Sequence, residues 1–180
     1  MEYDALIRAA LDCGADKAEL IEPSKVVSSN SFRAYCEADV CGFYGRCWSC
    51  PPDIGDIDVL LAELKKYSRV LLYQVISPLE SSTDAEGLQA ATEKLSNTSQ
   101  KLQVFCRAFF SKPFLHLAGS CHLCPVCAKL SDEPCRFPDR MLPALSAYGI
   151  DVCGTCAGTS LRYMNGENTV TFFGMLLFNE

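Results

Sequence analysis

Two short stretches hold eight of the twelve cysteines of this chain, and they constrain its fold more than any other feature. The first reads CEADVCGFYGRCWSCPP at residues 36–52, and the second reads CHLCPVCAKLSDEPCRFP at residues 121–138. The chain has 180 residues, of which 49% are hydrophobic, so it can bury a core without crosslinks. The clustered cysteines therefore need an explanation other than the disulfide framework of a small secreted protein.

The compartment and the charge narrow that explanation. The first residues, MEYDALIRAALDCG, do not show a basic segment followed by an apolar one, so we expect no signal peptide. The longest apolar runs, such as 70–73 and 175–178, are far shorter than the roughly 18 residues of a membrane span. We expect a cytoplasmic protein, in which clustered cysteines bind metals or carry redox chemistry. The net charge of −6, with scattered Lys and Arg, predicts no nucleic-acid partner and no membrane partner.

The pattern of apolar residues predicts one α+β domain over residues 1–180, with two cysteine-rich metal-binding loops. Helices packed on a mixed sheet of four to five strands are expected at 3–13, 56–67, 84–111 and 138–148. Extended segments are expected at 17–29, 69–77 and 113–119, followed by a hairpin around Asn165–Gly166. Each cysteine stretch falls between an extended segment and a helix, so both are predicted to lie at loop ends of the sheet.

The second stretch has the spacing C-x2-C-x2-C, with Cys135 seven residues further on. Four converging thiolates need a cation among them, and sites made only of thiolates select zinc or an iron–sulfur cluster. A zinc ribbon uses two separate C-x2-C pairs, whereas three ligands from one continuous run and a remote fourth are typical of [4Fe–4S] sites. The spacing favours an iron–sulfur cluster, with zinc and then unligated thiols as alternatives.

The first stretch has the spacing C-x4-C-x5-C-x2-C, which alone distinguishes iron–sulfur from zinc less well. Cys50 is followed directly by Pro51, as in ferredoxin runs, and Gly42 and Gly45 permit a tight loop. In proteins with two clusters the last cysteine of a run serves the other cluster, so the partition of the ligands stays open. A structural metal that only fixes the loops is also compatible with both stretches.

The remaining candidates have two or more interpretations. Arg46 and Arg136, next to ligand cysteines, either offset the charge of a cluster or are ordinary solvated residues. The pair Cys153 and Cys156 forms a third C-x2-C, which could be a redox dithiol, additional metal ligands or buried thiols. His116 is predicted to be structural, and His122 could replace a ligand. No phosphate loop, H-E-x-x-H motif or nucleophile elbow is present, so no catalytic residue is predicted.

The segments CGFYGRCWSCPPDIG and LAGSCHLCPVCAKLSDEPCRFPDRMLPALSAYGIDV, with the tail that follows, resemble an uncharacterised prokaryotic family of predicted metal-binding proteins, domain of unknown function 2284. The resemblance extends from about Cys36 to the end of the chain. It implies a cysteine-rich cytoplasmic protein, often from anaerobes, without an established activity. The family motif implies seven ligands, which are Cys41, Cys47, Cys50, Cys121, Cys124, Cys127 and Cys135. Cys36 fits the first motif as well, whereas Cys153 and Cys156 do not belong to the pattern.

These observations predict a protein with two [4Fe–4S] clusters that transfers electrons to a redox partner protein or assists an anaerobic redox enzyme. The predicted ligands are Cys36, Cys41, Cys47, Cys50, Cys121, Cys124, Cys127 and Cys135. The alternative is a zinc-binding structural or regulatory interaction module without catalysis. A third possibility is an oxidoreductase whose cluster serves Cys153 and Cys156 or has an open iron site. Whether the protein is an enzyme and what its oligomeric state is stay open.

Overall fold

A computed structural model describes residues 2–180 and contains an open four-stranded sheet with helices on it. The α-helices are α1 (Glu2–Asp12), α2 (Arg33–Glu37), α3 (Ile57–Leu64), α4 (Ala85–Phe109) and α5 (Val152–Cys156). The strands are β1 (Lys17–Ile21), β2 (Arg69–Pro78), β3 (Leu115–Leu117) and β4 (Thr169–Phe178). Short 3₁₀ turns lie at Pro23–Lys25, Asn30–Phe32, Ala128–Ser131 and Ser146–Tyr148. The predicted α+β class is confirmed.

The strand order is β1-β2-β4-β3, and the long pair β2 and β4 forms its centre. In that pair Arg69 lies opposite Phe178, and Pro78 lies opposite Thr169. All three strand pairs between these four strands are antiparallel, so the expected mixed sheet is wrong in this respect. A parallel pairing occurs outside the strands, as the isolated bridge between Ala118 and Ala144.

One face of the sheet is covered by α1 and α4. Leu71 and Tyr73 from β2 and Leu176 from β4 pack there against Leu6 of α1 and Leu102 of α4, all of them fully buried or nearly so. Asp84 caps α4, because its side chain accepts a hydrogen bond from the backbone N–H of Gly87 at 2.8 Å. This face therefore holds the helical core that the apolar periodicity predicts.

The opposite face is covered by α3 and by the cysteine-rich loops. Since side chains alternate along a strand, Leu72 and Met175 point to this face, and they share a core cluster with Leu60, Cys47 and Cys50. Asp56 caps α3 through hydrogen bonds from the N–H groups of Asp58 and Val59. The end of the first cysteine stretch, with Cys47 and Cys50, is thus part of the core, whereas Cys41 is exposed.

The helix expected at 138–148 is wrong. The only regular structure in this range is the 3₁₀ turn Ser146–Tyr148, and residues 142–145 run beside the end of β3. Pro143 lacks an N–H group, but its carbonyl oxygen accepts a hydrogen bond from the backbone N–H of Ala118 at 2.9 Å. The N–H of Leu145 donates to the carbonyl oxygen of Ala118, also at 2.9 Å. Pairing with this neighbouring segment replaces the helical hydrogen bonds.

The expected hairpin around Asn165–Gly166 is also wrong. Gly166 adopts a positive φ of 125°, as a turn requires, but only the strand after the turn, β4, is formed. The segment before the turn is not a strand and is held by side-chain packing. Leu161 is buried in the core, and Tyr163 stacks on Phe173 with ring centroids 6.0 Å apart. The partners of β4 are instead β2 and β3, which lie far away in the sequence. None of the helices within residues 2–180 combines the length and the apolar character that crossing a bilayer requires.

Candidate metal centre

Ser49 joins the two cysteine stretches. Its side chain is completely buried, and its hydroxyl oxygen accepts a hydrogen bond from the backbone N–H of Cys121 at 3.1 Å. Its carbonyl oxygen accepts from the N–H of Ala144, also at 3.1 Å. One residue of the first stretch thereby satisfies backbone groups of two other segments, which brings Cys47 and Cys50 next to Cys121.

Cys47 lies between the two groups of sulfurs. The thiols of Cys121 and Cys50 lie close enough to its sulfur to lower its pKa by hydrogen bonding. The hydroxyl of Ser49 lies 3.2 Å from the Cys47 sulfur and 3.7 Å from the Cys50 sulfur. The two predicted ligand groups therefore adjoin at Cys47 instead of forming separate sites.

These contacts shift the thiol pKa values in opposite directions. The hydrogen bonds from Cys121 and Cys50 lower the pKa of Cys47, against the effect of burial. The hydrogen bond with Cys47 raises the pKa of Cys50 and of Cys121, and burial raises both values further. Of these three sulfurs Cys47 is thus the one stabilised as a thiolate, and a thiolate is the form that binds a metal.

Five cysteines line one small cavity. Four of them come from the second stretch and one from the first, namely Cys121, Cys124, Cys127, Cys135 and Cys47. The space among them is about 20 Å³. The predicted second group is therefore gathered at one place, with Cys47 as an additional member.

Cys41 and Cys50 line a different and larger cavity of about 590 Å³. Cys36, on α2, is buried, and its thiol donates a hydrogen bond to the carbonyl oxygen of Ser146, another residue of this cavity wall, at 3.7 Å. Burial raises the pKa of Cys36, and the nearby guanidinium of Arg33 opposes this rise. The predicted first group is therefore divided, since Cys41 and Cys50 line the large cavity and Cys47 lines the small one.

Two further contacts hold the stretches together. The indole N–H of Trp48 donates to the carbonyl oxygen of Glu133 at 3.1 Å. The ammonium group of Lys129 lies 2.7 Å from a carboxylate oxygen of Asp53 and 4.6 Å from the centre of the Trp48 ring. Trp48 thus covers the second stretch, as an aromatic shield between the cysteines and solvent would.

The arginines near the cysteines have different surroundings. Arg33 is fixed by hydrogen bonds from its guanidinium to the carbonyl oxygens of Ala147 and Gly55, and its buried Nε has no partner. Arg136 lines the small cavity and donates to the carbonyl of Val126 at 2.9 Å. Arg140 is held by Gln100 on α4, and Arg46 is exposed. Arg33 and Arg136 are therefore the cations placed beside the cysteines.

All twelve cysteines are free thiols, without disulfide bonds. Within residues 2–180, no three side chains of His, Cys, Asp or Glu already converge as they would around a single metal ion. The described cysteines are gathered around two cavities but are not drawn together to single-ion distances. The ligand assignment made from the sequence stays a prediction.

The other candidates lie apart from the small cavity. Cys153, exposed on α5, lines the large cavity, whereas Cys156 is buried and burial raises its pKa to about 11. Cys106 is buried in α4, with its pKa raised to about 12 by burial. His122 lies against the ring of Phe43, 5.6 Å between centroids, and bonds to Ser120. His116 is buried on the helical face, far from a ligand role, as predicted.

Sequence reasoning missed Ser49 and the Asp53–Lys129 pair. A serine between two cysteines has no distinguishing pattern, and the role of Ser49 depends on Cys121, which is 72 residues away. Asp53 directly follows the first stretch, three residues after Cys50, and Lys129 lies inside the second. A negative charge just after the first stretch and a positive charge within the second were the one available signal.

The fold and the geometry define an α+β protein with two adjoining cysteine clusters. The family described as "Predicted metal-binding protein (DUF2284)" matches residues 19–178, and the chain belongs to this family. The match begins before Cys36 and includes all eight predicted ligands. No curated protein and no solved structure matches the chain.

Proposed function

We propose that the two cysteine clusters hold iron–sulfur centres and that the protein passes single electrons between them and a redox partner protein. The donor set fits such centres, because it consists of reduced thiols without disulfides and soft thiolate ligands select iron–sulfur clusters or zinc. When bound, the iron–sulfur clusters would supply one-electron chemistry. Cys121, Cys124, Cys127 and Cys135 would hold one centre, and Cys36, Cys41 and Cys50 the other, with Cys47 at their boundary.

One observation carries the proposal, namely that the buried Ser49 contacts both stretches, because its hydroxyl lies beside the sulfurs of Cys47 and Cys50 and accepts a hydrogen bond from the backbone N–H of Cys121. Electron transfer between two centres requires that they lie close together, whereas metal ions that only stabilise loops have no need to adjoin. Cys47 of the first stretch lines one cavity together with the four cysteines of the second stretch, and the Ser49 hydroxyl lies 3.2 Å from its sulfur. This adjacency of the two stretches supports two centres that lie close together.

The residues around the sulfurs have matching roles. Cys47 and Cys50 are buried in the core below α3, which excludes water from that side. The positive charges of Arg33 and Arg136 lie beside the two groups, and positive charge favours the anionic thiolates. The hydroxyl of Ser49 can donate to a ligand sulfur, a contact that tunes the reduction potential of a cluster.

A zinc-binding structural module is the second candidate, and one observation favours it. The space among the five cysteines of the small cavity is about 20 Å³, which is room for about one water-sized group. A single ion needs less rearrangement of the loop at 121–135 than a four-iron cluster does. In this case the contacts from Trp48 and Lys129 would fix loops for binding another molecule, without turnover.

Anaerobic purification distinguishes the two candidates. The full chain is expressed with iron, purified under argon, and analysed for iron, acid-labile sulfide and zinc. We expect two iron–sulfur centres per chain, visible absorbance, and an EPR signal after reduction with dithionite. Stoichiometric zinc in a colourless protein, with no EPR signal and no redox titration, would reject the electron-transfer proposal and support the zinc-binding structural module.

A further inference from the structure

The pair Cys153 and Cys156 lies outside both predicted ligand groups, and the electron-transfer proposal does not use it. The two cysteines are the second and the last residue of α5, three positions apart. Residues at this spacing lie on the same face of a helix, with Cα atoms about 5 Å apart. This separation is within the range that a disulfide bridges. The helix therefore holds the two sulfurs where they can form one bond with each other.

The two thiols differ in their access to solvent. Cys153 is exposed, whereas Cys156 is 5% exposed and belongs to the core on the cysteine-rich face of the sheet. Burial raises the pKa of Cys156 to about 11, so this residue stays a protonated thiol in the reduced protein. Thiol–disulfide exchange depends on access to the attacking sulfur. An external disulfide therefore meets Cys153 first, and Cys156 reacts only with the sulfur of Cys153.

The residues between the two cysteines are held by hydrogen bonds. The side chain of Asp151 accepts from the backbone N–H of Gly154 at 3.0 Å. The hydroxyl of Thr155, which is completely buried, donates to the carbonyl oxygen of Asp151 at 2.7 Å and accepts from the N–H of Val27 at 3.0 Å. These bonds fix the single turn that carries the pair, so the two thiols stay on one face.

The large cavity gives a small molecule access to Cys153. Cys153 lies in its wall, and its volume of about 590 Å³ is that of a site for a small molecule. The aromatic residues of this wall are Phe32, Tyr35, Phe43, Tyr163, Phe172 and Phe173. Tyr163 and Phe173 present stacked rings, 6.0 Å between centroids. Such a wall matches a molecule that carries an aromatic ring.

We propose that Cys153 and Cys156 form a redox-active dithiol that reduces a small disulfide carrying an aromatic ring, bound in the large cavity. The reaction needs neither iron nor zinc, so it goes beyond the proposed function and does not depend on which metal the other cysteines hold. It assigns an activity to the C-x2-C pair that lies outside the family motif.

The reaction has two exchange steps. The thiolate of Cys153 attacks one sulfur of the bound disulfide, whose S–S bond breaks, so that one thiolate leaves and a mixed disulfide forms. The sulfur of Cys156 then attacks the sulfur of Cys153, which releases the second thiolate and leaves an internal disulfide. The two cysteines lose two electrons and the substrate gains them. The protons lost by the two cysteine thiols end on the two released thiols, and a dithiol such as dithiothreitol returns the pair to its reduced form.

The probe for this activity is 4,4′-dithiodipyridine, a small aromatic disulfide whose released 4-thiopyridone absorbs light. The full chain, purified anaerobically with its metal, is mixed with the probe, and the bridged cysteines are identified by peptide mass mapping. We expect a fast phase that releases two thiopyridones and joins Cys153 to Cys156. Cys156→Ser should release one and keep the other half of the probe on Cys153. Cys153→Ser should lose the fast phase, with a rate at least about tenfold lower.

The dependence on probe concentration tests the cavity. The fast phase should saturate, because the probe binds before it reacts. Tyr163→Ala and Phe32→Ala should each raise the concentration for half saturation roughly tenfold, since each removes a ring from the wall. Phe105→Ala is the control, because Phe105 packs on the helical face of the sheet, and it should leave this concentration unchanged. The rate with 2-hydroxyethyl disulfide, which has no ring, should be unaffected by Tyr163→Ala.

The outcomes separate this inference from the proposed function. A fast phase that persists in Cys153→Ser, or a wild type without the bridge between Cys153 and Cys156, overturns the dithiol. Loss of metal in Cys153→Ser or Cys156→Ser identifies the pair as metal ligands and overturns it as well. A rate that rises linearly with probe concentration overturns binding in the cavity. Zinc in place of iron rejects the proposed function and leaves the dithiol intact, whereas an unreactive pair leaves the iron–sulfur proposal intact.

Discussion

The buried hydroxyl of Ser49 and the backbone N–H of Cys121 form a hydrogen bond of 3.1 Å that connects the two cysteine stretches. The same oxygen lies 3.2 Å from the sulfur of Cys47. Because Ser49 is completely buried and Cys47 nearly so, water does not replace the Ser49 hydroxyl beside the Cys47 sulfur. One side chain therefore determines both the distance between the stretches and the polarity at the central sulfur.

Replacing Ser49 by alanine should destabilise the protein and alter the centre at Cys47. The change leaves the N–H of Cys121 unpaired in the interior, which costs about 1–3 kcal/mol of the free energy of unfolding. It also removes a donor near the Cys47 sulfur, so the reduction potential of that centre should fall. Urea unfolding and an EPR redox titration measure the two effects.

Ser120→Ala is the matched control for Ser49. Ser120 carries a hydroxyl next to Cys121, but that hydroxyl bonds to His122 at an exposed position. We expect a change within about 0.5 kcal/mol and an unaltered potential. If both alanine variants shifted the potential equally, the hydrogen bond from Ser49 would have no special role.

Cysteine variants test which thiols hold metal. Cys124 lines the small cavity, so Cys124→Ser should reduce the metal content from two centres to one and lower the midpoint of thermal unfolding, since metal binding contributes to folding. Cys13→Ser is the control, because Cys13 packs against the helical face of the sheet. Metal analysis of both purified variants gives the answer, and equal metal loss in the two would contradict the assignment of the small cavity.

Local sequence patterns predicted the elements that form through local contacts. The periodicity of α4, the apolar run of β2 and the aspartate cap of α3 all appear where they were expected. The errors lie where distant segments decide the structure. Residues 142–145 pair with Ala118 instead of forming a helix, and β4 pairs with β2 instead of completing a hairpin. Neither long-range pairing leaves a mark in the local pattern.

For the site, residue type was predictable and grouping was not. The spacing named eight cysteines, and the family assignment confirms a predicted metal-binding protein. The spacing could not show that Cys47 turns away from Cys41 toward Cys121, because this depends on the fold around Ser49. The metal itself, iron–sulfur or zinc, stays a prediction, since thiolates bind both.

The buried network of His116 predicts a dependence of stability on pH. His116 Nδ1 lies 2.8 Å from Gln103 Oε1 and Nε2 lies 2.8 Å from the hydroxyl of Tyr73, which in turn lies 2.7 Å from Ser99 Oγ. A neutral ring that donates to Gln103 and accepts from Tyr73 satisfies every group. Burial lowers the pKa of His116 to about 3. The ring is therefore neutral in the folded protein at pH values where it is charged in the unfolded chain.

The sign of the pH dependence follows from the number of protons that the folded and the unfolded protein bind. Below the unfolded pKa of about 6.5 the unfolded chain binds a proton that the folded protein does not bind. The stabilisation is complete above that pH and falls by about 1.4 kcal/mol for each unit as the pH drops toward 3. Wild type should lose about 2 kcal/mol more than His116→Gln between pH 6.5 and pH 5, measured by urea unfolding at each pH. Parallel curves for the two proteins would show that His116 is protonated in the folded state.

Gly174 is required by the position of Tyr73. The two residues lie opposite each other in the β2–β4 register, and a Cβ atom on Gly174 would overlap the phenol ring of Tyr73. The ring cannot move aside easily, because it is fully buried and its hydroxyl is held by Ser99 and His116. Gly174→Ala should therefore cost at least about 1–3 kcal/mol, the usual range for overpacking a core.

Gly158→Ala is the control for this position, because its Cβ would make an ordinary contact of 3.6 Å with the side chain of Lys25. We expect a change within about 0.5 kcal/mol, as for most surface substitutions. The double variant Gly174→Ala with Tyr73→Leu separates steric overlap from loss of backbone freedom. Because the leucine side chain relieves the overlap, Gly174→Ala should reduce the free energy of unfolding less in the Tyr73→Leu background than in the wild type. An equal reduction in both backgrounds would show that the Tyr73 ring does not require a glycine at this position.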